Sequence, residues 1–122
     1  MAHILVVEDD LQFRQLLVHM LVKDGHEVTL ASNGMEAMHL LGTLQPNLIL
    51  TDILMPQMDG VEIILALSQR SNSIPIIAMS GGRRAISSQF NLESASLLGV
   101  KEVLAKPFSH ADLRRVIAAM LP

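Results

Sequence analysis

The strongest constraint in this chain is an alternation. Five short aliphatic runs, Ile4–Val7, Val28–Ala31, Leu48–Thr51, Ile76–Met79 and Val103–Ala105, are separated by segments with helical spacing. Runs of that length with turn-forming residues nearby predict strands. Phe13, Leu16, Leu17, Met20 and Leu21 share one helical face, as do Ala37, Leu40, Leu41 and Leu44 after the Asn33-Gly34 turn. Val61, Ile64 and Leu65 open an expected third helix after Asp59-Gly60, and Leu113, Val116, Ile117, Met120 and Leu121 form the clearest stripe, near the end. Between Gly81 and Gly99 the period is poor. Gly81-Gly82-Arg83-Arg84 reads as loop, and Phe90, Leu92, Leu97 and Leu98 suggest a late, irregular fourth helix. Asp10 and Ser109 stand where helix N-caps belong.

Repeated strand–helix alternation implies right-handed crossovers, so the expected fold is α/β: a doubly wound, five-stranded parallel sheet with five helices on both faces. Half the residues are apolar but only 2% are aromatic, so aliphatic side chains must build the core. A length of 122 residues encloses such a core without staples, and residues 1–122 are expected to form a single domain.

Composition also removes function classes. No apolar run nears the roughly 20 residues that span a bilayer. The Ile4–Val7 run meets Glu8 instead of a cleavage site, so a cytoplasmic protein without membrane contact is expected. The absence of cysteine excludes disulfides, zinc–thiolate sites and iron–sulfur clusters. A net charge of −3, with Arg83-Arg84 and Arg114-Arg115 as isolated pairs, argues against direct nucleic-acid binding. His3, His19, His26, His39 and His110 are dispersed without ligand spacing, and the eight methionines read as adaptable core filler.

In doubly wound sheets, ligands bind outside the carboxyl ends of the strands that flank the switch point, which are the first and third in the flavodoxin-like order. Those ends carry Glu8-Asp9-Asp10 and Asp52. Acids crowded together resist full ionisation unless a cation or a proton intervenes. Oxygen ligands without His or Cys favour a hard ion, and Mg²⁺ takes one or two carboxylates together with phosphate oxygen. The segment after Asp52 contains Pro56 and Gly60, which fix turns. Ser80 and Lys106 end the fourth and fifth runs on the same side, a hydroxyl and an ammonium suited to an anion. Taken singly, the acids are a solvated strand end with a cap, Ser80 a turn residue and Lys106 a surface lysine. Their joint placement with Asp52 favours a site.

Val6-Val7-Glu8-Asp9, Thr51-Asp52-Ile53-Leu54-Met55-Pro56-Gln57-Met58-Asp59-Gly60, Ala78-Met79-Ser80-Gly81 and Ala105-Lys106-Pro107-Phe108 resemble the receiver domains of bacterial two-component systems, chemotaxis-regulator-like, in order over essentially the whole chain. The resemblance implies the strand order 2-1-3-4-5. It implies that Asp52 accepts a phosphoryl group from a phosphohistidine on a sensor histidine kinase or phosphotransfer protein. Mg²⁺ would be held by Asp9, Asp52 and the backbone carbonyl of Leu54, with Glu8 acting through water. Lys106 would pair with Asp52 before transfer and with a phosphoryl oxygen afterwards, and the Ser80 hydroxyl would move to another oxygen. A cis Lys106–Pro107 peptide is also implied. Such a chain is a signalling switch, catalysing only its own phosphorylation and dephosphorylation. It would act on a downstream protein or an output domain outside this sequence, as a monomer or weak dimer.

Two departures mark this member. Val103 occupies the usual place of an aromatic switch residue, so output is expected to depend on the Gly81-Gly82 loop more than on a side-chain flip. Arg83-Arg84 follow those glycines and read first as a solvated loop, while Leu54 and Gly82 stand where the family tunes water access to the acyl phosphate. Among alternatives, a haloacid-dehalogenase-like phosphatase needs a second Asp where Leu54 stands, and no phosphate-binding glycine motif supports a nucleotide or flavin module. A pseudo-receiver acting only as an interaction module is the main competitor, and it ranks below a working receiver because Glu8, Asp9, Asp52, Ser80 and Lys106 are all present.

Overall fold

The computed structural model describes residues 2–52, 54–55, 58–59, 74–81 and 100–121. In chain order they form β1 (His3–Val7), α1 (Leu11–Lys23), β2 (Glu27–Ala31), α2 (Gly34–Leu40), β3 (Leu48–Asp52), the two-residue strands β4 (Leu54–Met55) and β5 (Met58–Asp59), β6 (Ile76–Gly81), β7 (Val100–Lys106) and α3 (His110–Met120). Five strands form one parallel sheet in the order β2-β1-β3-β6-β7, the expected 2-1-3-4-5 arrangement. β4 and β5 pair as a separate antiparallel ribbon directly after Asp52, within a segment expected to be loop.

Successive residues of a strand face opposite sides of its sheet, and here both sides are apolar. Ile4 and Val6 join Leu48, Leu50, Ile77, Met79 and Leu104 in one core, closed by Leu17, Met20 and Leu21 of α1 and by Leu113, Val116 and Ile117 of α3. Leu5 and Val7 join Ile49, Ile76, Ala78 and Val100 in the other, against Ala37 of α2. Each fully buried Ile, Leu or Val contributes about 1.5–3 kcal/mol, so the central strands are fixed from both faces. Their polar ends emerge together at one edge of the sheet.

The expectation of five helices is corrected: the described residues hold three, α1 and α3 on one face and α2 on the other. Each of the three has an N-cap side chain, Asp10, Asn33 or Ser109, accepting a backbone N–H of the first turn. The expected third and fourth helices rested on a short apolar set and a poor period, and they fall in 60–73 and 82–99, outside the described residues. α2 is also shorter than its apolar pattern. It ends at Leu40, and Leu41 and Leu44 pack on the core from the turn that follows. Leu16, expected on the buried face of α1, is 50% exposed.

α1 closes at Asp24, beyond which Gly25 takes φ +89°, a left-handed conformation that side chains with a Cβ rarely adopt. Asp24 ties this end of α1 to the start of α3: His110 Nε2 lies 2.9 Å from Oδ2, and the Arg114 guanidinium 3.2 Å from Oδ1. The hydrogen bond with His110, reinforced by Arg114, holds the Asp24 carboxyl below its ordinary range. At the other end of the same contact, Ser109 and Asp112 form a capping box, Asp112 N–H donating to Ser109 Oγ at 3.0 Å. This box anchors the segment that begins at Lys106. Ser109→Ala is expected to lower the unfolding free energy by about 1 kcal/mol with an unchanged denaturant slope. Urea denaturation measures it, and an unchanged midpoint contradicts the assignment.

Candidate functional site

Hydrophobic pairing brings four expected site residues to one sheet edge. Glu8 extends β1 by one residue, its N–H donating to the Ala31 carbonyl at 3.0 Å, and Asp9 follows it. Asp52 is the last residue of β3, and Lys106 the last of β7. Lys106 starts on the edge strand, two strand spacings or about 9–10 Å from β3. Its stem and the acid side chains together bridge that distance, and Nζ donates to Asp52 Oδ2 at 2.7 Å and to Glu8 Oε1 at 2.8 Å. The peptide joining Lys106 to Pro107 is cis, as expected.

Glu8 has no solvent exposure and Asp52 is 7% exposed, whereas Asp9 is half-buried. The second Glu8 oxygen, Oε2, accepts the Asp10 N–H at 3.0 Å, so both oxygens of this carboxylate are engaged. One carboxylate oxygen from each of Glu8, Asp9 and Asp52 lies within 4.8 Å of the others. Among the described residues, three acids therefore face a single ammonium. Burial, followed by the neighbouring charge of Asp52, outweighs the hydrogen bonds from Lys106 and Asp10 and pushes the Glu8 carboxyl up to about 7. Burial alone disfavours the Lys106 ammonium, but its hydrogen bonds to Asp52 and Glu8 hold it above its ordinary range. The lysine thus stays cationic at neutral pH, and the surplus negative charge falls on the acids. This donor set, all oxygen and one cation short, fits a hard divalent ion.

Of the other expected site residues, Leu54 lies in β4, two residues beyond Asp52, and Ser80 lies in β6 with its backbone paired to Ala105. Gly81 pairs with Lys106, and Gly82, Arg83 and Arg84 lie outside the described residues. Val103 is half-buried and packs on the α2-side core.

Two contributors were missed. Arg14 on α1 donates to the Glu8 carbonyl at 3.3 Å and to Ser32 Oγ at 2.8 Å, joining the acidic turn to the loop before α2. Phe13, read only as core, presents its ring to Lys106. The available signal was their place in the first turn of α1, right after the acid triplet.

Residues 4–118 match the family described as response regulator receiver domain, and the chain belongs to that family. It is 34% identical over 119 residues to the Regulator of RpoS of Escherichia coli K12, covering 97% of this chain but 34% of that protein. The chain thus spans about a third of the length of that relative. Among solved structures, chemotaxis response regulator CheY4 of Vibrio cholerae aligns with TM-score 0.86 and 28% identity over 99% of both chains. The receiver domain of sensor histidine kinase PA1611 from Pseudomonas aeruginosa PAO1, with a magnesium ion coordinated in its active-site cleft, aligns with TM-score 0.84 and 29% identity over 98% of this chain and 96% of that one. The chain is accordingly a phosphoacceptor module of two-component signalling, a switch and not a turnover enzyme. Among the described residues no helix is long and apolar enough to cross a membrane.

Protons released by Glu8 make a pH signature. In chelator-treated protein the unfolded chain loses the Glu8 proton near 4.5 while the folded chain retains it to about 7. The folded state then binds more protons across that interval, so this group's contribution to stability declines as pH rises through it. The Glu8 side-chain carboxyl ¹³C resonance is expected to titrate near 7, and a midpoint near 4.5 contradicts the account.

Proposed function

We propose that Asp52 is the phosphoacceptor, that Glu8, Asp9, Asp52 and the Leu54 carbonyl form a Mg²⁺ site, and that Ser80 and Lys106 receive the phosphoryl oxygens. The observation that carries this reading is the buried Asp52 carboxylate, held at 2.7 Å by the Lys106 ammonium inside a cluster of acids whose oxygens lie within 4.8 Å. Asp9 and Asp52 would ligate the ion directly, and Glu8, already bonded to Lys106 and to the Asp10 N–H, would act through water. When bound, Mg²⁺ offsets charge on the carboxylate and on the phosphoryl oxygens.

In transfer from a phosphohistidine, an Asp52 carboxylate oxygen forms the O–P bond as the P–N bond breaks. The departing imidazole keeps the electron pair and takes up a proton. Most of the acceleration comes from alignment and electrostatics, since ionised Asp52 needs no general base. Lys106 gives up its contact with the acceptor and binds a phosphoryl oxygen, and the Ser80 hydroxyl donates to another. Because Ser80 and Gly81 pair with Ala105 and Lys106, the two residues proposed to bind phosphoryl oxygens sit on adjacent strands, which supports a coupled movement toward the surface.

The donor would be a sensor histidine kinase or phosphotransfer protein, and residues 1–122 would act as one domain on a downstream protein or an output domain. The length of the relatives, of which this chain spans only a part, supports the second arrangement. With acetyl phosphate and Mg²⁺, the protein is expected to gain about 80 Da, and Asp52→Asn to gain nothing. Intact mass spectrometry reads both. An undiminished gain in Asp52→Asn contradicts the assignment of the acceptor, and no gain together with no beryllofluoride binding in the wild type favours an interaction module instead.

A further inference from the structure

We propose that Phe13 is a positioning residue for Lys106, its ring face holding the ammonium between Glu8 and Asp52 while Phe108 braces the ring. This deepens the reading of Asp52 and Lys106 above and rests on it. Lys106 Nζ lies 4.4 Å from the centroid of the Phe13 ring, within cation–π range. Phe108 meets Phe13 edge to face, with centroids 5.6 Å apart and planes at 82°. The chain has three aromatic residues, all Phe, and two of them converge beside this one ammonium.

The placement follows from the backbone. Phe13 is the third residue of α1, and its N–H is capped by Asp10 Oδ1 at 3.0 Å, so helix capping sets where the ring lies. Phe108 follows Lys106 by two residues, so the segment that carries the lysine also carries the brace. Both rings pack against the core shared by α1 and α3, which restrains them.

A ring supplies what other side chains do not. An aliphatic group there would desolvate the ammonium without compensation, and a further carboxylate would compete with Asp52 for the cation and with the acids for a metal ion. The attraction of the aromatic quadrupole stays constant when the charge at Asp52 changes. Phe13 therefore remains a partner for Lys106 while the lysine exchanges carboxylate for phosphoryl oxygen, and keeps it from turning to solvent.

The test uses the whole chain in three forms: wild type, Phe13→Leu, which keeps an apolar side chain without a ring, and Phe13→Tyr, which keeps the ring. With only Lys23, Lys101 and Lys106 present, the lysine Cε methylene protons are resolved by NMR, and Lys106→Arg assigns the third signal. The Lys106 signal is expected upfield of the other two in wild type and Phe13→Tyr, and to join them in Phe13→Leu. Mass gain with acetyl phosphate and Mg²⁺ is expected to slow about three- to tenfold in Phe13→Leu and to stay within about twofold in Phe13→Tyr. Equal rates in all three forms, or Phe13→Tyr as slow as Phe13→Leu, overturn the proposal. So does an undisplaced Lys106 signal in the wild type, a result that needs no variant to fold. A displaced signal in a wild type that gains no mass overturns the acceptor reading while the ring contact stands.

Discussion

A single ammonium, Lys106 Nζ, spans the ends of three strands by donating to Asp52 and to Glu8. The local architecture serves that reach. β7 lies at the sheet edge, and its pairing with β6 steps by one residue, Ile76 facing Val100 and Ile77 facing Glu102. The register that results sets Lys106 opposite Gly81 at the end of the strand, and the Ser109–Asp112 box holds the chain just beyond it. A lysine displaced by one residue would face the other side of the sheet.

Among the described residues, the acids of the site outnumber the cations that meet them. Breaking a buried pair by removing one partner costs several kcal/mol, because the remaining charge has nowhere to go. Here the imbalance is present in the native residues, with Glu8 sealed from solvent and Asp9 half-buried. The sealed acid orders the turn through the Asp10 N–H, and Arg14 holds the same turn through the Glu8 carbonyl. In the proposed site the half-buried acid, Asp9, would meet the incoming ion. Rigidity and access are thus divided between neighbouring residues.

Much of this was legible beforehand because burial on both faces leaves a direct trace. The runs Ile4–Val7 and Leu48–Thr51 match β1 and β3 to within a residue at either end, and the caps Asp10 and Ser109 accept the expected N–H groups. β7 begins three residues before Val103, since the register step there exposes Lys101 and breaks the apolar run. The third and fourth of the five expected helices fall outside the described residues, which hold three, and Leu16 shows that a stripe does not fix how wide a buried face is. Phe13 and Arg14 were read by spacing, which tells one helical face from another but not which distant strand end each face meets. His110, one of five histidines dispersed without ligand spacing, is drawn to Asp24 by the packing of α3 against α1, a contact 86 residues apart in sequence.

In the proposed function, a divalent ion and a phosphoryl group complete this site, with Lys106 moving from acid to anion. A crystal structure of the protein with Mg²⁺ and beryllofluoride tests it most directly. The expected structure has the ion on Asp9 and Asp52, the fluoride group on the Asp52 carboxylate, and Lys106 Nζ on a fluorine. A structure grown under those conditions with neither group at Asp52, and Lys106 still bridging Glu8 and Asp52, would contradict it.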